Sequence, residues 1–195
     1  PADRERYHRH LVLSEFGVAG QERLKAAKVL VVGGGGLGSA ASLYLAATGV
    51  GTLALVDFDK VDLSNLQRQV LYGSADIGRS KALRGQARLQ ELNPDISIVA
   101  HDCEVTAGNV MDLIRPYHLV VDGTDRLSTR YQVNDACVLQ RKMLVSAAIH
   151  RFEGQTFSYV PECGPCYRCI FPSAGEGVTP NCAEAGVLGV LPGIL

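Results

Sequence analysis

The sequence predicts an α/β fold, a mostly parallel sheet with helices on both faces and antiparallel strands added toward the C-terminus. Three observations predict it. Short apolar runs alternate with segments of helical periodicity along most of the chain. The first of these runs passes directly into a glycine-rich turn, V-L-V-V-G-G-G-G-L-G-S-A, that opens a helical pattern. Two helical patterns end at Asn93-Pro94 and Arg115-Pro116, where proline turns the chain out of the helix before the next apolar run.

Taken in order, a short amphipathic helix is expected over 3–13, then strand 29–32, helix 37–48 closed by Gly49, strand 52–56, helix 79–92, strand 96–101, helix 107–115, strand 118–122, helix 126–140 and strand 143–148. Beyond Ala147 the pattern changes to G-Q-T-F-S-Y-V, read as antiparallel strand, and then to a loop rich in Gly, Pro and Cys. At 195 residues and 47% hydrophobic content, the chain suits one domain with a proper core. Its last stretch, A-G-V-L-G-V-L-P-G-I-L, reads as the beginning of an element, so 1–195 is expected to be a single domain lacking its C-terminal part.

Composition excludes several classes. A net charge of -1 with no basic run and no Trp leaves little to neutralise a nucleic-acid backbone, so nucleic acid is not expected as a partner. The amino end is charged, and glycine interrupts the apolar stretches before they reach membrane-spanning length, so neither a membrane nor a secretory route is expected and the location is read as cytoplasmic. In that reducing compartment, Cys163, Cys166, Cys169 and Cys182 of the Gly/Pro-rich stretch point to metal or chemistry rather than to disulfides.

The glycine-rich turn carries the first functional signal. Gly33, Gly35 and Gly38 fit G-x-G-x-x-G between a strand and a helix, the Rossmann-like context in which bare N–H groups and the helix dipole receive a phosphate. The next strand ends at Asp57, placed to accept hydrogen bonds from a ribose. These features alone suit a nicotinamide or flavin dinucleotide as well as any other nucleotide. The segment D-F-D-K-V-D-L-S-N-L-Q-R-Q from Asp57 to Gln69 changes the balance, because Asn65, Gln67 and Arg68 add donors and a cation that a single pyrophosphate does not need and a triphosphate does.

Together with Arg6-Tyr7-His8-Arg9, Lys81, the V-D-G-T-D-R strand end at Asp122 to Arg126, the Cys166/Cys169 pair and Cys182-Ala183-Glu184-Ala185-Gly186, these motifs resemble, in the same order, those of the ThiF/MoeB/HesA adenylyltransferases, relatives of ubiquitin-activating enzymes. The resemblance runs from Arg6 to the last residue. It implies that ATP reacts with the C-terminal carboxylate of a ubiquitin-like sulfur carrier ending Gly-Gly, giving an acyl adenylate and pyrophosphate, in thiamin or molybdopterin biosynthesis. It also implies a nucleotide site of Gly33, Gly35, Gly36, Gly38, Asp57, Asp59, Ser64, Asn65, Gln67, Arg68, Lys81, Asp125 and Arg126, with Arg9, Arg68, Lys81, Asp125 and Cys182 serving the chemistry.

Each of these positions has a plainer reading beside it. Bringing a carboxylate to an α-phosphate needs cations, which Arg9, Arg68 and Lys81 could supply. Arg68 could equally be a solvated loop residue and Lys81 an exposed one at a helix start. Arg9, implied to be donated by the partner subunit of a homodimer, could instead pair with Glu5 within its helix. Asp125 is expected to hold Mg²⁺ on the phosphates, against a helix N-cap as the alternative, and Asp122 is read as structural. Cys182, near a helix start that would favour its thiolate, is read as a nucleophile or as a quiet structural thiol. Cys166 and Cys169 make half of a thiolate zinc site; no cysteine follows Cys182, so either zinc is absent or its other ligands lie beyond Leu195 in a longer protein, the second reading being preferred. No histidine is expected to be catalytic. The competing functions are a NAD-dependent oxidoreductase, for which no acid/base residue is found, and a non-catalytic binder of a ubiquitin-like protein.

Overall fold

In the computed structural model, which describes residues 2–172 and 186–195, six strands form one sheet in the order β3-β2-β1-β4-β5-β6. These are β1 (Lys28–Val32), β2 (Thr52–Val56), β3 (Ser97–His101), β4 (Leu119–Asp122), β5 (Met143–His150) and β6 (Glu153–Tyr159). All pairings are parallel except β5 with β6, so the mostly parallel sheet with an antiparallel end is as expected. The central strands are apolar on both sides: four of the five residues in each of β1 and β2 are buried, as strands covered by helices on both faces require.

Strand alternation divides the core into two layers. On one face Val29, Val31, Leu53 and Leu55 pack with Ala46 and Leu89, from α4 (Gly36–Ala47) and α5 (Lys81–Leu92). On the other, Leu30, Val32, Ala54 and Val56 pack with Val110 and Ile114 of α6 (Val110–Ile114) and with Val133 and Ala136 of α7 (Leu127–Leu139). Because Val32 pairs with both Val56 and Asp122, strands β1, β2 and β4 come level at their carboxyl ends, while β5, whose Ser146 stands beside Asp122, runs on to His150. The loops after them therefore open on one rim, at the point where the chain order reverses between β1 and β4.

Several element boundaries differ from expectation. The single N-terminal helix over 3–13 is two short ones, α1 (Ala2–Arg6) and α2 (His8–Leu11), broken at Tyr7. Tyr7 is 7% exposed, and its hydroxyl accepts a hydrogen bond from Asn93 Nδ2 at 2.8 Å, so burying the ring outweighs continuing the helix. A further helix, α3 (Gly17–Ala26), was not anticipated. Helix 107–115 shortens to α6 because the Asn109 side chain accepts from Thr106 N and donates to Glu104 O, holding the preceding residues in a turn. Strand 143–148 extends to His150, since β6 pairs with it as far as Glu153. The segment after Cys166 forms a one-turn helix, α8 (Tyr167–Ile170), which carries Cys169. No helix among the described residues is long and apolar enough to cross a membrane.

Candidate nucleotide site

The glycine turn is shaped by close packing. Gly33 has φ +91, which a side chain would resist, and a Cβ on Gly38 would collide with the Gly33 carbonyl. The turn delivers Gly35 to the N-cap of α4, where no side chain caps the helix. The amides of Gly36, Leu37 and Gly38 in the first turn thus lie at an uncapped helix start, the arrangement that receives an anion.

Asp57, buried at the end of β2, fixes this turn. Its Oδ2 accepts from Gly34 N at 2.7 Å and its Oδ1 from Asp59 N at 2.8 Å. Burial pushes the carboxyl above its ordinary range, while Lys81 and the two amides pull it back. A ribose hydroxyl would have to share oxygens that already hold the loop together. Tyr72, which sequence reasoning passed over, donates its hydroxyl to Gly34 O at 3.0 Å from the other side. A tyrosine four residues after Arg68 was the only signal available for it, and its role depends on a contact across 38 residues.

Lys81 is neither exposed nor solvated. It is 4% exposed, and its Nζ lies 3.1 Å from Asp59 Oδ2, whose side chain is half exposed. The pair holds a buried cation near Asp57, behind the glycine turn that Asp57 fixes. The one-turn 3-10 helix Leu63–Asn65 then presents the polar segment. Arg68 is half-buried, its Cγ is 3.4 Å from where a Cβ on Gly36 would be, and its Nη1 donates to Ser64 O at 3.3 Å. The Arg68 stem therefore rests against the uncapped end of α4 rather than in solvent. Asn65 Oδ1 accepts from Gln69 Nε2 at 2.7 Å, and Asn65 Nδ2 donates to Ser64 Oγ at 3.0 Å, which in turn donates to Asp62 Oδ1 at 2.6 Å. Gln67 is exposed and, with Arg68, Ala40, Val70, Gly189 and Val190, lines a cavity of about 390 Å³ beside α4.

From β4 come Asp122 and the loop after it. Asp122 is structural, as expected: it is 1% exposed, accepts from Thr124 N and Oγ1 and from Ser146 Oγ, and pairs with Arg130 at 3.2 Å. Asp125 is exposed and does not cap α7, whose N-cap is Arg126 with no side-chain cap, so the capping alternative falls. Gly123 in the same loop lies against Gly38, which sets this loop beside the α4 start. Arg126 pairs with Glu104 at 2.8 Å and lies over the Phe58 ring, 4.8 Å from its centroid.

Two predicted positions stand apart. Arg9 is exposed on α2, next to Tyr7, whose ring packs on Gly49 beyond the far end of α4. That end lies roughly 18 Å from the glycine turn, from twelve residues at about 1.5 Å each. The alternative pairing with Glu5 is also absent: among the described residues no ion pair joins them. Cys166 and Cys169 have their Sγ atoms 3.6 Å apart, and hydrogen bonds from the Asn134 side chain, the neighbouring amides and Cys169 outweigh burial to lower the Cys166 thiol. No group of three or more metal-ligating side chains is found among the described residues. Cys182 lies outside them.

An uncapped helix start with Arg68 against it, Asn65 joined to it through Gln69, and the Lys81–Asp59 pair next to Asp57, on the rim of a reversing parallel sheet, has the make-up of a candidate nucleotide site with more cation and donor than a dinucleotide needs. Over residues 7–195 the sequence matches the model of the ThiF family, and the chain belongs to that family. It is 50% identical over 197 residues to the sulfur carrier protein adenylyltransferase of Thermus thermophilus, covering 98% of this chain and 73% of that protein. It is 54% identical over 192 residues to the adenylyltransferase and sulfurtransferase MOCS3 of Mus musculus, covering 97% of this chain but 42% of that one. Among solved structures, E. coli MccB with AMPCPP and MccA superposes with a TM-score of 0.77 at 28% identity, over 84% of this chain and 51% of MccB. The chain thus spans about half or less of two of these three proteins. None of them is named as an oxidoreductase, and the nicotinamide alternative is not favoured.

Proposed function

We propose that this chain is an adenylation domain that activates the C-terminal carboxylate of a ubiquitin-like sulfur carrier ending Gly-Gly, at the expense of ATP. The observation that carries the reading is the Arg68 stem against the uncapped start of α4, with Asn65 joined to it through Gln69 beside Gly35, and buried Lys81 near Asp57, which holds the same glycine turn. In the reaction the carrier's carboxylate oxygen attacks the α-phosphorus, the bond to the bridging oxygen breaks, and pyrophosphate leaves with its electron pair. Two anions approach and charge grows on the leaving group, so fixed donors and cations there act most strongly in the transition state. The α4 amides and Asn65 would hold phosphate oxygens, while Arg68 and Lys81 would meet the developing charge.

Asp125, exposed and free of a capping duty, has the oxygen chemistry to hold Mg²⁺, which would neutralise phosphate charge when bound. The Cys166 and Cys169 sulfurs, at 3.6 Å, match one edge of a tetrahedral site, about 3.8 Å for Zn–S of about 2.3 Å; further zinc ligands would come from outside the described residues. Arg9, remote from its own cleft, would complete the site of a second copy in a homodimer. A cytoplasmic location belongs to the same proposal. The pathway, thiamin or molybdopterin, follows from which carrier is accepted.

The test is ATP–pyrophosphate exchange with Mg²⁺ and a panel of Gly-Gly-ended carriers. Exchange with one carrier confirms the activity and identifies the pathway. Absence of exchange with every carrier, from a protein that binds ATP, replaces this reading with that of a non-catalytic binding partner.

A further inference from the structure

We infer that Asp62 and Gln69 are positioning residues for Asn65: a line of hydrogen bonds between them turns the Asn65 amide so that an N–H, and not the carbonyl oxygen, is left for a phosphate. The inference rests on the ATP reading above and adds two residues that act on the phosphates through a third.

Four side chains are joined in this line. Ser64 donates its hydroxyl to Asp62 Oδ1 at 2.6 Å, Asn65 Nδ2 donates to Ser64 Oγ at 3.0 Å, and Gln69 Nε2 donates to Asn65 Oδ1 at 2.7 Å. Counting hydrogens fixes its direction. The Asp62 carboxylate can only accept, and the Ser64 hydroxyl and amide hold it below its ordinary range. The one hydroxyl hydrogen of Ser64 is thereby spent, so its oxygen can meet only the NH2 end of Asn65. Asn65 Oδ1 then faces Gln69, which must answer with its own NH2 end.

Asn65 emerges with its carbonyl oxygen occupied and one of its two N–H groups unused among the described residues. An amide free to rotate would offer either end, and a carbonyl oxygen repels a phosphate oxygen because both are acceptors. The line also ends at the right place. Gln69 Nε2 is 3.9 Å from where a Cβ on Gly35 would be, and Gly35 is the N-cap of α4.

At Gln69 the orientation takes precedence over local satisfaction. The residue is 3% exposed, and its Oε1 meets no hydrogen-bond partner among the described residues. Turning this amide over would set Oε1 against Asn65 Oδ1, so the side chain keeps its bond to Asn65 and leaves a buried acceptor unmet, which is costly. An apolar side chain would fill the same space without that cost, but it could not hold Asn65.

Calorimetric titration with ATP and with inorganic tripolyphosphate, which shares the phosphates alone, tests the inference. Asn65→Ala is expected to raise both Kd values about tenfold, as loss of one bond to a charged oxygen does. Gln69→Leu and Asp62→Ala are each expected to raise both values about three- to tenfold in the wild-type background, but less than about twofold when added to Asn65→Ala, because the amide they orient is gone. Asp62 is exposed, so its variant tests the line from the end that leaves the core untouched. A merely structural role would weaken binding equally in both backgrounds, and such additivity overturns the inference. It is overturned as well if both single variants bind ATP as wild type does. If the wild-type protein binds no ATP, this inference and the proposed function fall together; if it binds ATP but shows no exchange with any carrier, the function alone falls and the mutant cycle still decides the orientation of Asn65.

Discussion

At the residue scale, Arg68 and Lys81 bring positive charge to the surroundings of the glycine turn by different means. Lys81 is buried to its ammonium and held by one carboxylate, so it forms part of the wall. Arg68 is half-buried, makes a single 3.3 Å hydrogen bond to a carbonyl, and has donors to spare. In the proposed reaction the guanidinium would therefore be the group most able to follow charge as pyrophosphate departs. Arg68→Ala is expected to lower ATP–pyrophosphate exchange by about 10²–10³-fold. The melting temperature should stay within about 2 °C of wild type, since no core contact or buried ion pair is lost. A fall in melting temperature that accounts for the lost activity would reassign Arg68 to structure. Asp57 illustrates the converse. Its position at the end of β2 suggests ligand contact, but its oxygens are occupied by Gly34 N and Asp59 N, so its first task is to hold the glycine turn in shape.

At the scale of elements, the segment between β2 and α5 is the part of the fold that makes the site. Much of it lacks regular structure, and its shape comes from local side-chain bonds such as Asp62 to Ser64 and Asp76 to Gly73. The amide of Gly73 and the guanidinium of Arg84 hold the Asp76 carboxyl below its ordinary range, against burial that would raise it. With its folded pKa below the unfolded value, Asp76 contributes stability that is present above about pH 4 and lost as pH falls through the folded pKa. Asp76→Asn should remove that part of the acid dependence, flattening the urea midpoint below about pH 4 relative to wild type. Parallel curves for the two proteins would count against the linkage. The strands and most helices of this fold are legible in the sequence because burial on both faces leaves continuous apolar runs, as in β1 and β2. The helix α3 is not, because G-V-A-G-Q-E-R-L-K-A buries only Gln21 and has no side-chain cap to announce it. Within the site, the glycine turn, Asn65 and Arg68 are legible because they are local patterns. The Lys81–Asp59 pair and the Tyr72 bond to Gly34 are not, because they join residues 22 and 38 apart that only the folded segment brings together.

At the scale of the whole molecule, Arg9 is the residue on which the proposed homodimer turns. It sits on α2, against the end of α4 opposite the glycine turn, and the helix between them sets a separation that an arginine side chain does not bridge. If Arg9 serves adenylation, it does so in a second copy related by a two-fold axis, each copy lending its Arg9 to the other's cleft. This makes two damaged chains complementary. Arg9→Ala retains Arg68 but offers its partner no Arg9; Arg68→Ala offers Arg9 but has no working cleft of its own. Each variant alone should be nearly inactive in pyrophosphate exchange. Coexpressed with different tags in equal amounts, they pair at random, half the dimers are mixed, and each mixed dimer has one complete site, so activity should recover to about one quarter of wild type. Purification through both tags in turn should raise this to about one half. A mixture no more active than its two components would mean that Arg9 acts within α2 alone, and the assembly would then have no part in building the site.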